Sequence, residues 1–403
     1  MTSREDAAVA GPRFDTLCVS PVAPCNDGSP LIPAIVQSTT FCRSGLGSTA
    51  EHRYSRESNP TVAALEIALG RLEQALPALC FATGLAAETT LLLAATRCGD
   101  HVICSRAVYG GTHRLLRAVF AAFGVEASFV DTTDAHAVEV AWRPSTRLVF
   151  VETPANPTLV LSDIAAIAEV TRQRGALLCV DNTFLTPILQ QPLELGADVS
   201  VYSTTKFVEG HSAALGGALV VRDPSLRERL FFLRKCSGAI QSPLNAWLTL
   251  QGLKTLPLRI ERQSRNAAVV AGWLARVPAV RWVSHPSLEN TEQRELASRQ
   301  HAGLHGAVVS FELEGGAESA RRLLEEVRLC RLAEHVGSVE TLLTHPASMT
   351  HGSVPAEERA QIGINEGLLR LSVGLEDPRD VIADLDRSIG KARCGAAVEQ
   401  EVA

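Results

Sequence analysis

Apolar positions along the chain change their period near residue 80. Before it, Val62, Leu65, Leu69, Leu72 and Leu76 recur at three- and four-residue steps, which is one stripe of an amphipathic helix. Asn59 supplies a cap and Pro60 fits the first helical position, so the helix is predicted to begin within "SNPTVAALEIALGRLEQAL". From 80 to 222, short apolar runs alternate with longer helix-like segments. Strands are predicted at 101–105, 126–130, 147–153, 176–181, 198–203 and 217–222, with helices at 84–97, 111–123, 163–174 and 188–195. Apolar strands separated by helices indicate an α/β domain on a mainly parallel sheet. Ligands in such sheets sit beyond the carboxyl ends of the strands. Residues 1–60 show no sustained period and read as an irregular N-terminal arm. A long helix over 257–277 leads into a smaller C-terminal α+β domain with strands at 307–313 and 368–374, and the small polar tail after 390 is expected to fray. The expected division is an arm (1–60), a large domain (61–256) and a small domain (257–403).

Composition narrows the class. The 403 residues are 46% apolar and 20% charged, ordinary for a soluble globular protein with a large core. A dispersed formal charge of −6 argues against nucleic acid or an anionic membrane as the main partner. No apolar run approaches the roughly 18–20 residues that cross a bilayer. The N-terminus lacks the basic-then-apolar order of a secretion signal, which points to the cytoplasm. Ten cysteines form no C-x-x-C pair and no zinc spacing, so no metal is expected. Cys80, Cys104 and Cys179 lie in apolar stretches and are expected to be buried and reduced.

Lysine usage adds chemistry. There are four lysines, Lys206, Lys235, Lys254 and Lys391, against 34 arginines. A scarce lysine can do what arginine cannot, which is to lose its proton and attack as an amine. Lys206 follows an apolar strand in "SVYSTTK", beside Ser203 and Thr205. Hydroxyls suit a phosphate and an amine suits an aldehyde, and pyridoxal phosphate (PLP) carries both groups. Asp181 closes an apolar strand 25 residues earlier, where a carboxylate can pair with a pyridine nitrogen; the plainer reading is a cap on a βα loop. Thr83 and Gly84 open a helix whose first N–H groups suit an anion, or form an ordinary tight turn. The three tyrosines, Tyr54, Tyr109 and Tyr202, all stand beside Gly, Ser, Thr or Arg rather than in core patterns. Tyr109 is suited to stack on an aromatic ring, and Tyr54 with Arg56 to hold phosphate.

Nine stretches in order, "YSRESNPT", "ATGLAA", "YGGT", "VETPANPT", "VDNTFLTP", "STTKFVEGHSAALGG", "GLKTLPLR", "HPASMTH" and "LLRLSVGLED", resemble the Cys/Met-metabolism family of PLP-dependent enzymes from about residue 35 to 385. That family includes cystathionine γ-synthases and γ-lyases, methionine γ-lyases and acyl-homoserine sulfhydrylases. The resemblance implies the aspartate-aminotransferase type of PLP-dependent transferase fold, an amino-acid substrate and a homotetramer of two dimers with shared sites. It also implies roles. Lys206 would be the cofactor lysine, Asp181 the partner of the ring nitrogen and Tyr109 the stacking and proton-handling residue. Asn156 would lie near the phenolic oxygen. Gly84, Leu85, Ser203 and Thr205 would bind phosphate, and Tyr54 and Arg56 would reach the phosphate of a neighbouring subunit. Arg370 would clamp the substrate carboxylate.

The chain also departs from the family. His335, beside Glu334, takes the place of a serine, and reads either as functional or as a packed substitute. Arg114 resembles an arginine that reads a distal carboxylate, and Glu334 a distal acidic residue. Arg53 stands where cystathionine γ-lyases often carry an acidic residue and Glu57 where the sulfhydrylases and synthases carry other residues; the two read either as marks of an altered pocket or as a simple pair on the arm. Gly111 replaces the reactive cysteine of methionine γ-lyases. The expected reaction is γ-replacement on an O-acylated homoserine, with γ- or β-elimination from a thioether as the alternative.

Overall fold

The computed structural model describes residues 12–20, 27–288, 293–352 and 354–402. Its larger sheet has seven strands: β1 (Leu79–Phe81), β2 (His101–Ser105), β3 (Glu126–Val130), β4 (Thr146–Glu152), β5 (Leu177–Asp181), β6 (Val199–Tyr202) and β7 (Gly217–Val221). Their order is β1-β7-β6-β5-β4-β2-β3. The pairings from β3 through β2, β4 and β5 to β6 are parallel; β7 is antiparallel to both of its neighbours, β6 and β1. Val149, Val151, Leu178 and Val180 are fully buried under one helical layer, and Phe150, Cys179 and Val201 pack in the other. Burial on both faces is why these strands read as continuous apolar runs.

A second sheet joins β8 (Val280–Ser284), β9 (Val308–Leu313), β10 (Arg331–Leu332), β11 (Leu342–Thr344) and β12 (Leu368–Ser372) in the order β10-β11-β12-β9-β8. Its pairings are antiparallel except β10 with β11. The helix Leu256–Leu274 links the two cores: Leu256 and Ile260 pack with Leu65 and Phe207, while Val270 and Leu274 lie in the core of the smaller sheet.

The helix Pro60–Leu72 starts as its sequence predicts. Asn59 accepts a hydrogen bond from the Thr61 N–H at 2.9 Å, and Leu65, Leu69 and Leu72 are buried. Each such leucine contributes roughly 1.5–3 kcal/mol on leaving water. Cys80, Cys104 and Cys179 are fully buried, and burial pushes their thiols well above the usual range.

Other expectations are corrected. The arm contains a short helix, Phe14–Val19, anchored by buried Cys18. The helix expected over 188–195 is confined to Thr186–Leu189 before a turn. The segment 111–123 is helical but passes from α (Gly110–Arg114) through π (Leu115–Phe120) to a 3₁₀ turn (Ala121–Phe123). The final helix, Pro378–Val402, continues past residue 390 instead of fraying there. Arg53 and Glu57 do not pair: Glu57 meets Lys235 at 2.6 Å, and Arg53 Nε donates to the Ala50 carbonyl. Tyr202, whose polar neighbours set it outside a core pattern in the sequence, is a core residue whose hydroxyl bonds Glu73 and Asn182.

Candidate active site

The parallel register builds the floor of the site. Glu152 pairs with Asp181 across β4 and β5, and Asp181 pairs with Val201 across β5 and β6. Residues far apart in sequence thereby share one sheet edge, at the carboxyl ends of the strands. A cavity of about 350 Å³ opens there, lined by Lys206, Asp181, Tyr109, Asn156 and Arg370, with Ser203 and Thr205 also on its wall. Arg114 and Glu334 line it as well.

Lys206 sits in the turn after β6, its N–H bonded to the Ser203 carbonyl at 3.1 Å. Its Nζ lies 3.2 Å from His335 Nδ1. Burial, and then the positive charge of Arg370, lower its pKa to about 8. The amine is therefore deprotonated far more readily than a surface lysine. Asp181 is buried at the strand end, its Oδ1 accepting from the Thr183 N–H at 2.9 Å. Burial raises its pKa against the hydrogen bonds from Thr183.

Arg370 on β12 is 2% exposed. Nη1 donates to Asn156 Oδ1 at 2.8 Å, and Nη2 to the His335 carbonyl at 2.9 Å and to Thr344 Oγ1 at 3.0 Å. Its Nε is buried without a partner. Burial lowers its pKa to about 10, opposed first by Glu152. The fork is thus fixed in direction and retains a donor for an anion.

Two carboxylates not singled out in the sequence support this arrangement. Glu152 accepts from the N–H groups of Tyr109 at 2.8 Å and Asn156 at 2.7 Å, tying two site segments to one strand end. Glu88, 4% exposed on the cavity wall, accepts from Thr112 Oγ1 at 2.8 Å. Burial, and then Asp181, raise its pKa to about 8. The available signal was an acidic residue inside an otherwise apolar run, which is costly unless it has a partner.

The residues present fit PLP. The N–H groups of Gly84 and Leu85 open the helix Gly84–Ala95 and precede any carbonyl of that helix that could accept from them. A Cβ on Gly84 would stand 3.0 Å from the Ser203 Cβ, so glycine keeps open the space between helix start and hydroxyl. The Thr205 hydroxyl is already engaged, donating to the Gly216 carbonyl at 3.0 Å and accepting from the Gly216 N–H at 2.9 Å. A buried acid at 181 and a buried amine at 206 face the same cavity. Tyr54 and Arg56 do not line it: they lie on the arm, with the Arg56 guanidinium 5.4 Å from the Tyr54 ring centre. No helix among the described residues is long and apolar enough to cross a membrane.

Comparison with known proteins agrees with this geometry. The family model described as "Cys/Met metabolism PLP-dependent enzyme" matches residues 20–390. Cystathionine gamma-synthase of Mycobacterium tuberculosis is 44% identical over 357 residues, covering 88% of this chain and 91% of that protein. Cystathionine gamma-lyase of Mus musculus is 45% identical over 358 residues, covering 88% of this chain and 89% of that protein. The solved structure of cystathionine gamma-lyase from Lactobacillus plantarum, complexed with L-serine, superposes with a TM-score of 0.91 at 38% identity, covering 94% of this chain and 99% of that one. With the motifs in order, the two-sheet fold reproduced and a lysine and an acid facing one cavity, the chain belongs to the Cys/Met-metabolism family of PLP-dependent enzymes.

Proposed function

We propose that the chain catalyses γ-replacement, in which an O-acylated homoserine or similarly activated amino acid exchanges its γ-substituent for a thiol or other nucleophile. The convergence of Lys206, Asp181 and Arg370 on one cavity that also holds the polar side chains of Arg114 and Glu334 carries this reading. Lys206 takes the cofactor role, with Gly84, Leu85 and Ser203 at the phosphate. Thr205 shapes the turn beside them through Gly216. PLP, when bound, supplies an electron sink next to the substrate's Cα.

The chain's own groups do the rest. Asp181 would supply the negative charge that keeps the nitrogen of a bound ring protonated. Arg370 receives the substrate carboxylate, and Asn156 and Thr344 hold its fork in direction. Lys206, whose pKa lowered to about 8 makes its unprotonated amine accessible near neutral pH, takes the Cα proton. Tyr109, 36% exposed at the cavity, would cover the face of a bound ring and is placed to handle the later proton transfers at Cβ. Arg114 and Glu334 read the polar tails of the leaving group and the nucleophile.

A homotetramer working in the cytoplasm accords with this reading. Tyr54 and Arg56, outside the cavity of their own chain, are available to a neighbouring subunit. Apolar Leu31, Leu46 and Leu258, 82%, 104% and 72% exposed, suit contact surfaces on that neighbour.

Elimination is the second reading, supported by the lyase relatives at similar identity and coverage. Incubation with O-acetyl- or O-succinyl-homoserine, with and without cysteine or sulfide, followed by mass spectrometry, separates the two. Thioether or homocysteine is the expected product. Accumulation of 2-oxobutanoate and ammonia without either would replace this proposal with the second reading.

A further inference from the structure

Lys206 Nζ has one hydrogen-bond partner among the described residues, His335 Nδ1. The backbone that carries the imidazole is held from two sides. The His335 carbonyl accepts from Arg370 Nη2. Two residues on, Gly337 has φ of 87°, and a Cβ there would meet the Phe207 nitrogen at 2.5 Å. Only glycine lets this loop close onto the Lys206 turn, and the Gly337 N–H is pinned by Ser372 Oγ at 2.9 Å. The other ring nitrogen of His335, Nε2, is buried without a partner.

The charged groups facing His335 are Lys206 on its own turn, Arg370 on β12 and Glu340 further along the His335 loop. When Lys206 takes a proton from the substrate, the Cα–H bond breaks. The proton joins Nζ, and the electron pair stays on the substrate's Cα, where a bound PLP would supply the sink. An ammonium then forms beside the Arg370 guanidinium, in a buried pocket, and must find an acceptor. An imidazole carrying its proton on Nε2 offers a bare Nδ1 at hydrogen-bond distance. Burial, then Lys206 and Arg370, lower the imidazole pKa to about 4. It therefore accepts a hydrogen bond without taking the proton.

We propose that His335 is a positioning residue for Lys206: its unprotonated Nδ1 receives a hydrogen bond from Nζ, aims the amine's lone pair into the cavity and stabilises the ammonium left by proton transfer. This deepens the proposed function and rests on Lys206 being the cofactor lysine.

The test uses holoenzyme saturated with L-norvaline, which frees Lys206 but has no leaving group. Cyanate, a small reagent that adds only to unprotonated amines, labels Lys206 across a pH series, and peptide mass spectrometry reads the extent. In His335→Leu the apparent pKa of Lys206 falls by about one unit, as expected for a lost hydrogen bond to a charged group. Exchange of the norvaline Cα proton with D₂O slows by about tenfold, while norvaline affinity, set by Arg370, stays within about twofold. His335→Gln, which keeps an acceptor, restores both the pKa and the exchange rate. An unchanged Lys206 pKa in His335→Leu, or an equal loss in His335→Gln, would overturn the proposal. Labelling of Lys206 that is identical with and without norvaline would remove the cofactor linkage, and the proposal with it.

Discussion

Replacing Arg370 by lysine keeps the charge and removes the fork. In the structure the guanidinium makes three hydrogen bonds to three separate segments and keeps Nε in reserve. An ammonium on a flexible stem has neither the span nor the fixed direction to reproduce this. Loss of one charge-assisted bond to a substrate carboxylate costs about 2–3 kcal/mol, a rise in KM of roughly 30- to 150-fold. Arg370→Gln removes the charge as well. Arg370 is the second cause, after burial, of the lowered Lys206 pKa. Without its field the Lys206 pKa rises, so the rising limb of the pH–rate profile moves to higher pH. Arg370→Lys retains the field and leaves that limb in place. The assay is kcat and KM across pH with O-succinyl-homoserine and cysteine, with thermal melting to confirm that both variants fold. A folded Arg370→Lys with unchanged KM refutes the carboxylate assignment. An unmoved limb in Arg370→Gln refutes the electrostatic link to Lys206.

Two further outcomes are expected. Asp181→Asn retains the shape of a buried carboxylate but not its charge, so cofactor affinity, measured by fluorescence titration, drops by at least about tenfold; unchanged affinity would detach Asp181 from the ring nitrogen. Glu88 has a folded pKa raised to about 8 from an ordinary carboxylate value, so wild-type stability is lost as pH rises through that interval and the loss is complete above about 8. Glu88→Gln keeps the acceptor for Thr112 without ionising, so its melting temperature should match wild type near pH 5 and exceed it near pH 9; a constant difference across pH would show that Glu88 does not titrate there.

The pattern of apolar runs was sufficient for the parallel strands because both of their faces are buried, which leaves an unbroken apolar signature. The strands β1, β10 and β11 have two or three residues each, too few for any period to appear. The 188–195 segment carried a helical pattern, but turn chemistry around Gln190–Leu195 ended the helix early. Tyr202 misled because its neighbours are polar while its own ring packs in the core.

Lys206 and Asp181 stand out locally because an ionisable residue at the end of an apolar strand conflicts with its surroundings, and Tyr109 because tyrosine is scarce and this one stands beside two glycines; Arg370, in the middle of β12, was marked only by the family resemblance. The sequence alone therefore determined the fold class and the cofactor family, and nominated residues that the structure brings to one cavity. It did not determine that Glu152 ties Tyr109 to Asn156, that Glu88 faces the cavity or that His335 reaches Lys206. The Glu152–Tyr109 and His335–Lys206 contacts join residues 43 and 129 positions apart, and Glu88 brings a helix to the cavity at the sheet edge. Strand register and the closure of one sheet onto the other decide such meetings, and no local pattern encodes a distance between segments that only packing brings together.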